Sequence, residues 1–416
     1  MSGREIDVVV LGATGVTGRR VAAYLSTRAP EAGLSWAAAG RDAGRVGSVL
    51  AQEGVKDART VIADTDDPAS LSALAASAGV VLDLVGPYTL HGRPVIEACV
   101  AEGAHYVDLT GEIPFVRTIL EEFDDRAAQA GVKVVQVCGF EALPPDMSVR
   151  IAAEEAQRRW GEDLQSVDVE VTVSGAPGIP RASDIISGGT LQSLMAVAGG
   201  EGAETISDPA ALVTDAGAAT TIRARSPIAI APRRGREGGV LAPMAPAPFI
   251  NPAVIHRSTV LAGAQPLRYR EGMEIGGPAA ALPLRWGAAG ALTATQVGLR
   301  GFAGVAPRAR KRVAGALSRA LPGSGFGPAA DRLESWRWSM RTYATTVGGN
   351  ELAVRVDATG HPGYLATARM MGEAGLLLAR DGATPARSGC LTPSIALGAE
   401  AAPSFERAGV SFSLQT

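Results

Sequence analysis

Three glycines near the start of the chain, Gly12, Gly15 and Gly18, stand three positions apart. They follow the apolar run from Val8 to Leu11 and precede an amphipathic stretch, an order that predicts a strand, a glycine-rich turn and a helix. In such a turn, glycines permit a tight bend, bring backbone N–H groups close to a pyrophosphate and allow the helix to pack on the strand. The positive end of the helix dipole then faces the anion. The segment therefore predicts a dinucleotide site.

The residues expected to hold the cofactor begin in this turn, and the helix after it is predicted from Val16 to about Arg28. The turn contributes Gly12, Thr14, Gly15, Val16, Thr17 and Gly18. Arg41 and Asp42 follow the second predicted strand, where an arginine can meet the 2′-phosphate of NADP and an acidic residue the 2′-hydroxyl of NAD. Because Arg41 comes first and Asp42 suits the N-cap of the next helix, NADPH is the predicted cofactor. A solvated surface role is the alternative for Arg41.

Further polar and aromatic residues follow the third and fourth predicted strands. Asp64 is expected either to contact the adenine side or to cap a helix. The fourth strand ends in Val85, Gly86, Pro87 and Tyr88, whose backbone is expected to approach the nicotinamide. The phenol of Tyr88 is interpreted either as a proton donor or, with more weight, as an aromatic wall.

The segment from His105 to Glu112 ends the fifth predicted strand with five hydrogen-bonding side chains. Asp108 or Glu112 is expected either to order the nicotinamide ribose or a substrate group, or to form a helix N-cap arrangement. None of the three lysines lies four positions after a tyrosine. The tyrosine–lysine proton relay of extended short-chain dehydrogenases is therefore absent.

Apolar runs alternate with helical stretches in the first third of the chain, and this predicts an α/β fold with a doubly wound parallel sheet of Rossmann type. The strands after the first are predicted at residues 34–39, 59–63, 80–85, 105–109 and 132–138. Such sheets bind ligands at the carboxyl ends of their strands. Further along the chain, a helix through Trp160, an alternating strand at 167–173 and a helix start at Thr190 are predicted.

Composition excludes several classes of protein. A net charge of −3 over 416 residues offers no footprint for nucleic acid. The three cysteines are far apart and lack a metal-ligand spacing, so neither disulfides nor a metal site are predicted, and a reducing cytoplasm is expected. The uncharged stretch 238–255 contains four prolines and is not predicted to cross a membrane.

Several motifs together resemble the saccharopine dehydrogenase-like oxidoreductases, and most of all the trans-acting enoyl reductases of actinobacterial polyketide and lipid pathways. The matching segments are GATGVTG (12–18), AGR (39–41), GPYTLHG (86–92), HYVDLTGE (105–112), CGFEALPPDM (138–147), SGGTLQS (187–193), APFINPAVIHRS (247–258), PGYLATARMMGEAG (362–375) and GCLTPSIALG (389–398). The chain departs from the usual pattern at His91, Glu141 and Pro145. If these residues line the substrate pocket, the substrate differs from the family's familiar enoyl thioesters.

The resemblance implies a division into an NADP-binding Rossmann domain (1–147), a second, α+β substrate domain with long loops (148–360) and a C-terminal segment (361–416) that packs back against the cofactor domain. Two basic runs, at 233–236 and 308–312, are interpreted as solvated faces. The alternatives are a docking site for an acyl carrier protein or polyketide synthase, and a peripheral membrane contact.

The favoured function is NADPH-dependent reduction of a C=C bond conjugated to a carbonyl, in a free or carrier-bound acyl substrate. Tyr88, His91 and Glu112 are the candidates for proton transfer or for stabilising the enolate oxygen. Reduction of a C=N bond is the first alternative, and it needs a carboxylate-binding arginine such as Arg181 or Arg257. A non-catalytic NADP(H)-binding sensor or scaffold is the second.

Overall fold

A computed structural model of the chain describes residues 3–56, 58–177, 193, 197, 202–243, 246–277, 281–320, 328 and 332–415. Two seven-stranded sheets organise these residues. The helix start predicted at Thr190 lies outside the described residues.

The first sheet is parallel throughout and has the strand order β13-β6-β5-β4-β1-β2-β3. Its strands are β1 (Ile6–Leu11), β2 (Trp36–Gly40), β3 (Thr60–Ile62), β4 (Ala78–Asp83), β5 (His105–Asp108), β6 (Lys133–Val135) and β13 (Gly389–Leu391). The central strands β1 and β4 are buried on both faces, as their continuous apolar runs require. The predicted doubly wound sheet is confirmed.

Helices connect the strands of this sheet. They are α1 (Gly18–Glu31), α2 (Ala43–Gln52), α3 (Pro68–Ser77), α4 (Tyr88–Glu102), α5 (Ile113–Gln129) and α6 (Leu143–Trp160). The side chains of Asp42 and Asp67 cap α2 and α3 by accepting from Arg45 N and Ala69 N, at 3.0 Å each. Asp42 therefore caps a helix as predicted, whereas Asp64 does not, because Asp67 stands at the N-cap.

The second sheet is mixed and has the order β14-β12-β11-β7-β10-β9-β8, in which only β7 and β10 run parallel. Its strands are β7 (Leu164–Ser174), β8 (Arg233–Arg234), β9 (Val240–Ala242), β10 (Arg268–Glu274), β11 (Arg337–Thr346), β12 (Glu351–Thr359) and β14 (Val410–Gln415). Burial alternates along β11 and β12, so one face packs on the core and the other meets solvent.

Further helices follow β7 along the chain. The later helices are α7 (Ala216–Arg225), α8 (Asn251–Leu261), α9 (Leu282–Ala303), α10 (Pro307–Ala320), α11 (Thr367–Leu378) and α12 (Pro393–Leu397). Short 3-10 segments cover Ala203–Ser207, Ala247–Phe249 and Ala399–Ala408, and a π-turn covers Pro362–Ala366. Met147 of α6 and Met371 of α11 belong to one buried cluster that also contains Val10 of the first sheet and Val356 of the second.

The C-terminal residues return to both sheets. Strand β13 extends the parallel sheet beside β6, and β14 forms an edge of the mixed sheet beside β12. The division predicted between residues 147 and 148 falls inside α6, which packs against both sheets. No described helix combines the length and apolarity needed to cross a bilayer.

Several predicted boundaries shift in the structure. Helix α1 starts two residues later than predicted because the turn continues to Thr17, and β4 ends at Asp83 rather than at Val85. The earlier end of β4 matters because Val85, Gly86 and Pro87 then belong to the loop that leads into α4.

The buried carboxylate of Glu373 links α11 to α1. The Tyr24 hydroxyl donates to Glu373 Oε1 at 2.6 Å, and Arg28 Nε donates to the same oxygen at 3.0 Å. Glu373 is 3% exposed. Burial raises the pKa of Tyr24, so the phenol remains a donor at all physiological pH values.

The variant Tyr24→Phe should lower the free energy of unfolding by about 1.5–3 kcal/mol, since it removes a hydrogen bond to a charged buried group. Urea denaturation measures this change. Tyr343→Phe, on the solvent-facing side of β11, is the control and should change stability by less than about 0.5 kcal/mol. Equal stabilities of the two variants would contradict the role of this contact.

Candidate active site

A cavity of about 550 Å³ opens along the carboxyl ends of strands β1 to β6. Nine of the twelve residues predicted to bind cofactor line it: Gly12, Thr14, Gly15, Val16, Thr17, Arg41, Val85, Gly86 and Tyr88. Gly18, Asp64 and Pro87 do not. This is the edge of the sheet at which parallel α/β folds bind ligands.

The glycine-rich turn is shaped by close backbone contacts. Gly12 has a φ of +83°, and a Cβ there would lie 2.9 Å from Val85 Cγ2 and 3.0 Å from the Leu84 carbonyl carbon. A Cβ on Gly18 would overlap the Gly12 carbonyl oxygen, so the first turn of α1 packs directly on the end of β1. A larger residue at either position would therefore displace the backbone of the turn. The turn thus leaves the room for a pyrophosphate that its sequence predicts.

Arg41 stands exposed at the end of β2, and its side chain lines the cavity. Its position fits a 2′-phosphate, while Asp42 faces the backbone of α2 instead. Asp64 accepts from Asp66 N at 3.1 Å within its own turn. Its neighbours Thr65 and Asp66 line the cavity in its place.

Tyr88 is buried, and its hydroxyl is held by two backbone groups. It donates to the Asp83 carbonyl oxygen at 3.1 Å and accepts from Leu109 N at 3.4 Å. Burial, with nearby carboxylates, raises the pKa of Tyr88 well above its ordinary value. This arrangement favours the aromatic wall over the proton donor.

Glu112 is 1% exposed and caps the helix that begins at Tyr88. Its carboxylate accepts from Tyr88 N at 3.0 Å and from Thr89 N at 2.8 Å, and it also accepts from the Thr89 hydroxyl. An anion at a helix N-terminus is stabilised by the free N–H groups and the helix dipole. Glu112 therefore forms the predicted helix N-cap arrangement. The two residues that it caps, Tyr88 and Thr89, precede it by 24 and 23 positions in the chain.

His91 lies in the first turn of α4 and lines the cavity. Its Nδ1 is 3.4 Å from the Thr65 hydroxyl, which follows the edge strand β3.

A pair of fully buried carboxyl groups lies beneath the cavity, at the ends of β4 and β5. The Tyr106 hydroxyl is 3.1 Å from Asp83 Oδ2 and 3.0 Å from Asp108 Oδ2. One hydroxyl proton serves only one of these oxygens, so the second contact requires a proton on a carboxyl group. Burial and mutual repulsion raise the pKa of Asp83 to about 8, and burial raises that of Asp108 to about 7.

Asp108 also organises the loop after β6. Its Oδ1 accepts from Thr110 N at 3.0 Å and from Val137 N at 3.1 Å. Val137 has a φ of +60°, a conformation that β-branched residues rarely adopt and that costs free energy. Such strain persists where surrounding contacts enforce it, commonly at functional sites.

The loop after Val137 brings Glu141 into the cavity. Phe140 N donates to the Thr367 hydroxyl at 3.1 Å, and the Phe140 ring packs edge-on against Trp338 with centroids 4.9 Å apart. Burial raises the pKa of the Glu141 carboxyl. Pro145 is buried in α6 and does not line the cavity.

The end of the cavity beyond the strands has mainly apolar walls. They include Leu109, Ile113, Phe249, Ile250, Leu299 and Ala303. Arg300 of α9 stands exposed at this end and is one of two cationic side chains among the described lining residues, the other being Arg41. The cavity therefore joins a polar cradle to an apolar chamber.

Other predicted arginines are structural. Arg257 is 6% exposed and donates to the carbonyl oxygens of Leu212 at 3.1 Å and Cys390 at 2.6 Å. Arg233 forms an ion pair with Asp168 of β7. The interpretation of Arg257 as a carboxylate ligand is therefore wrong, and so is the interpretation of Arg233 as part of a solvated face. Arg181 lies outside the described part of the chain.

Comparisons with known proteins agree with this geometry. Residues 8–135 match the family model described as the saccharopine dehydrogenase NADP binding domain. A relative from Mycobacterium tuberculosis (strain ATCC 25618 / H37Rv) is 34% identical over 99% of this chain and 98% of its own length. The trans-acting enoyl reductase of Mycobacterium ulcerans (strain Agy99) is 33% identical over 95% of this chain and 94% of its own.

This chain belongs to the saccharopine dehydrogenase-like family of trans-acting enoyl reductases. It is an NADP-dependent oxidoreductase, and the glycine cradle lies within the matched NADP-binding region. Saccharopine dehydrogenase (L-Glu forming) from Saccharomyces cerevisiae has the same fold, with a TM-score of 0.53 at 13% identity over 99% of this chain and 100% of that one.

Two carboxyl groups of this site have roles that the sequence does not predict. Glu141 departs from the family pattern, but that departure indicates no chemistry. An acidic residue inside an apolar strand run, such as Asp83, gives no sign of which groups will surround it. The one available signal for Asp83 was its position shortly before Gly86 and Pro87, near the predicted end of the strand.

The carboxyl pair predicts a specific dependence of stability on pH. Since both folded pKa values lie above the ordinary aspartate value of 3.8, the native state binds more protons than the unfolded state between there and about pH 8. The stability that the pair contributes is present at low pH and is lost as the pH rises through about 7 to 8. Asp83→Asn, which mimics the protonated form, should flatten this loss.

Urea denaturation at pH 6 and pH 9 measures the effect, with Glu154→Gln on the exposed face of α6 as a charge-matched control. The control should keep the wild-type slope of stability against pH. A wild-type slope in Asp83→Asn would show that the pair does not hold the extra proton.

Proposed function

We propose that this protein uses NADPH to reduce the C=C bond of an α,β-unsaturated acyl thioester presented by a carrier protein of polyketide or lipid synthesis. The observation that carries the proposal is the continuous cavity, in which the glycine cradle and Arg41 open into an apolar chamber. The near full-length similarity to trans-acting enoyl reductases supports the same reaction.

The cofactor residues follow from their places along the cavity. The turn from Gly12 to Thr17 faces the pyrophosphate, and Arg41 binds the 2′-phosphate. Val85 and Gly86 lie against the nicotinamide half, because they end the loop between β4 and α4. When bound, NADPH supplies the hydride that the β-carbon of the substrate accepts.

The three residues predicted for proton or oxyanion chemistry take other parts in this proposal. Tyr88 is a wall of the nicotinamide pocket, and Glu112 positions it by holding the N-terminus of α4. His91 contacts the adenosine half of the cofactor beside Thr65. Apolar side chains such as Phe249 and Ile250 exclude water from the chamber, which strengthens polar interactions with the reacting carbonyl.

A carrier-bound substrate would approach where α9 and α10 meet. Arg300 stands at the chamber end, and Arg308, Lys311 and Arg312 of α10 are exposed nearby along the chain. These cations suit the phosphate of a pantetheine arm or the acidic surface of an acyl carrier protein. Imine reduction loses support, because Arg257 is committed to backbone carbonyls.

The experiment is NADPH oxidation by the purified protein against an enoyl thioester on pantetheine, the same acyl group on a carrier protein, an enone and an imine. We expect oxidation with the enoyl thioester, faster on the carrier, and none with the saturated thioester used as a control. Turnover of the imine alone would replace this proposal with C=N reduction. NADPH binding without turnover of any substrate would favour a sensor.

Arg41→Ala should weaken NADPH binding by about tenfold or more and leave NADH binding unchanged, since a charge-assisted contact to phosphate is worth about 1.5–3 kcal/mol. Fluorescence titration of both cofactors measures the two dissociation constants. Arg45→Ala, exposed one turn further along in α2, is the matched control. An equal loss for NADPH and NADH would place the 2′-phosphate elsewhere.

A further inference from the structure

We propose that Glu141 is the general acid that protonates the α-carbon of the substrate, an inference that rests on the proposed enoyl reduction. Hydride addition at the β-carbon leaves an enolate, so a proton must reach the neighbouring carbon. Glu141 is the carboxyl group that the loop between β6 and α6 brings to the cavity wall.

The backbone that carries Glu141 is fixed from three directions. Cys138 N donates to the Asp108 carbonyl oxygen at 2.9 Å, and Leu143 N donates to the Gly139 carbonyl oxygen at 2.9 Å. The Thr367 hydroxyl accepts from Phe140 N and donates to the Pro362 carbonyl oxygen at 2.8 Å. The carboxyl group is thus held by a rigid loop, as positioned proton transfer requires.

The surroundings of Glu141 favour its protonated form. Gly139 is beside it, and a Cβ at Gly139 would lie 3.5 Å from Glu141 Oε2, so the carboxyl group lies over a glycine of its own loop. The groups that line the same region are Leu109, Val137 and Thr367, none of which is ionisable. Burial raises the pKa of Glu141, and the only hydrogen bond that opposes this shift comes from its own backbone N–H.

The other ionisable groups near this loop are already committed. Asp108, below the loop, is in the carboxyl pair with Asp83. Asp146 of α6 accepts from Ser394 N at 2.8 Å, and Glu112 caps α4. Burial raises the pKa of the Cys138 thiol, which stays neutral.

The remaining charged groups of the cavity lie in other parts of it. Arg41, Asp66 and His91 belong to the adenosine side, and Arg300 is on α9 at the chamber end. Of the three carboxyl groups among the described lining residues, Glu112 caps α4 and Asp66 is exposed after β3, which leaves Glu141 as the candidate for proton transfer.

The proposed step adds a hydride and a proton across the C=C bond of the substrate. The β-carbon gains a hydride, and the electron pair of the C=C bond moves into the enolate. The α-carbon then forms a C–H bond as the O–H bond of Glu141 breaks, which leaves a saturated thioester and a carboxylate. Solvent at the open end of the cavity returns the proton to Glu141.

Glu141→Gln keeps the size of the side chain and removes the acidic proton. We expect kcat with the enoyl thioester to fall at least about a hundredfold, the usual range for loss of a general acid, while the Kd for NADPH stays unchanged. The decline of wild-type kcat at high pH, where Glu141 is ionised, should disappear. Glu154→Gln on the exposed surface of α6 should keep the wild-type rate and pH profile.

A second variant tests the chemistry separately from the fold. Glu141→Ala should be slow and should regain activity when formate or acetate is added at low pH, because a small acid replaces the missing carboxyl group. Absence of rescue, with a wild-type affinity for NADPH, would overturn the role as proton donor.

Infrared difference spectra of wild type minus Glu141→Gln give a readout that needs no turnover. We expect a protonated-carboxyl band that persists at pH values where an ordinary glutamate is fully ionised. Its absence would overturn the inference. If the wild type and Glu141→Gln turn over the enoyl thioester at the same rate, only the role of Glu141 is overturned. If the wild type turns over no conjugated substrate, the proposed function itself is overturned.

Discussion

The buried contact between Asp108 and the backbone of two neighbouring loops is the constraint on which the active site depends. Asp108 accepts hydrogen bonds from Thr110 N and Val137 N, and so ties the end of β5 to the loop after β6. The loop after β5 then delivers Glu112 to the N-terminus of α4, and the loop after β6 delivers Glu141 to the cavity. A carboxyl group at this depth is costly unless its oxygens are satisfied, which explains why backbone donors converge on it.

Some carboxyl groups of this region have structural roles, and one is proposed to transfer a proton. Asp83 and Asp108 both contact the Tyr106 hydroxyl beneath the sheet edge, and Glu112 caps a helix N-terminus. Glu141 has none of these partners and lies on the wall of the cavity. These carboxyl groups thus have different roles, because the surroundings of each one differ.

The two sheets have different tasks in the molecule. The parallel sheet builds the glycine-rich turn at its carboxyl edge and packs against α11, whereas the mixed sheet packs against α6. Trp338 of the mixed sheet supports Phe140, so the second sheet helps to hold the loop that carries Glu141. The C-terminal strands β13 and β14 place one end of the chain in both sheets.

Local sequence determined the first strand, the glycine-rich turn and the Arg41–Asp42 pair, because glycine geometry and helix capping act within a few residues. The parallel sheet also followed from the apolar runs along the chain. Only the tertiary structure decided that Glu112 caps a helix that begins 24 residues earlier and that Arg257 is buried against Cys390, 133 residues away. These outcomes depend on which groups the folded chain brings together and deprives of water, and no spacing within a local segment encodes them.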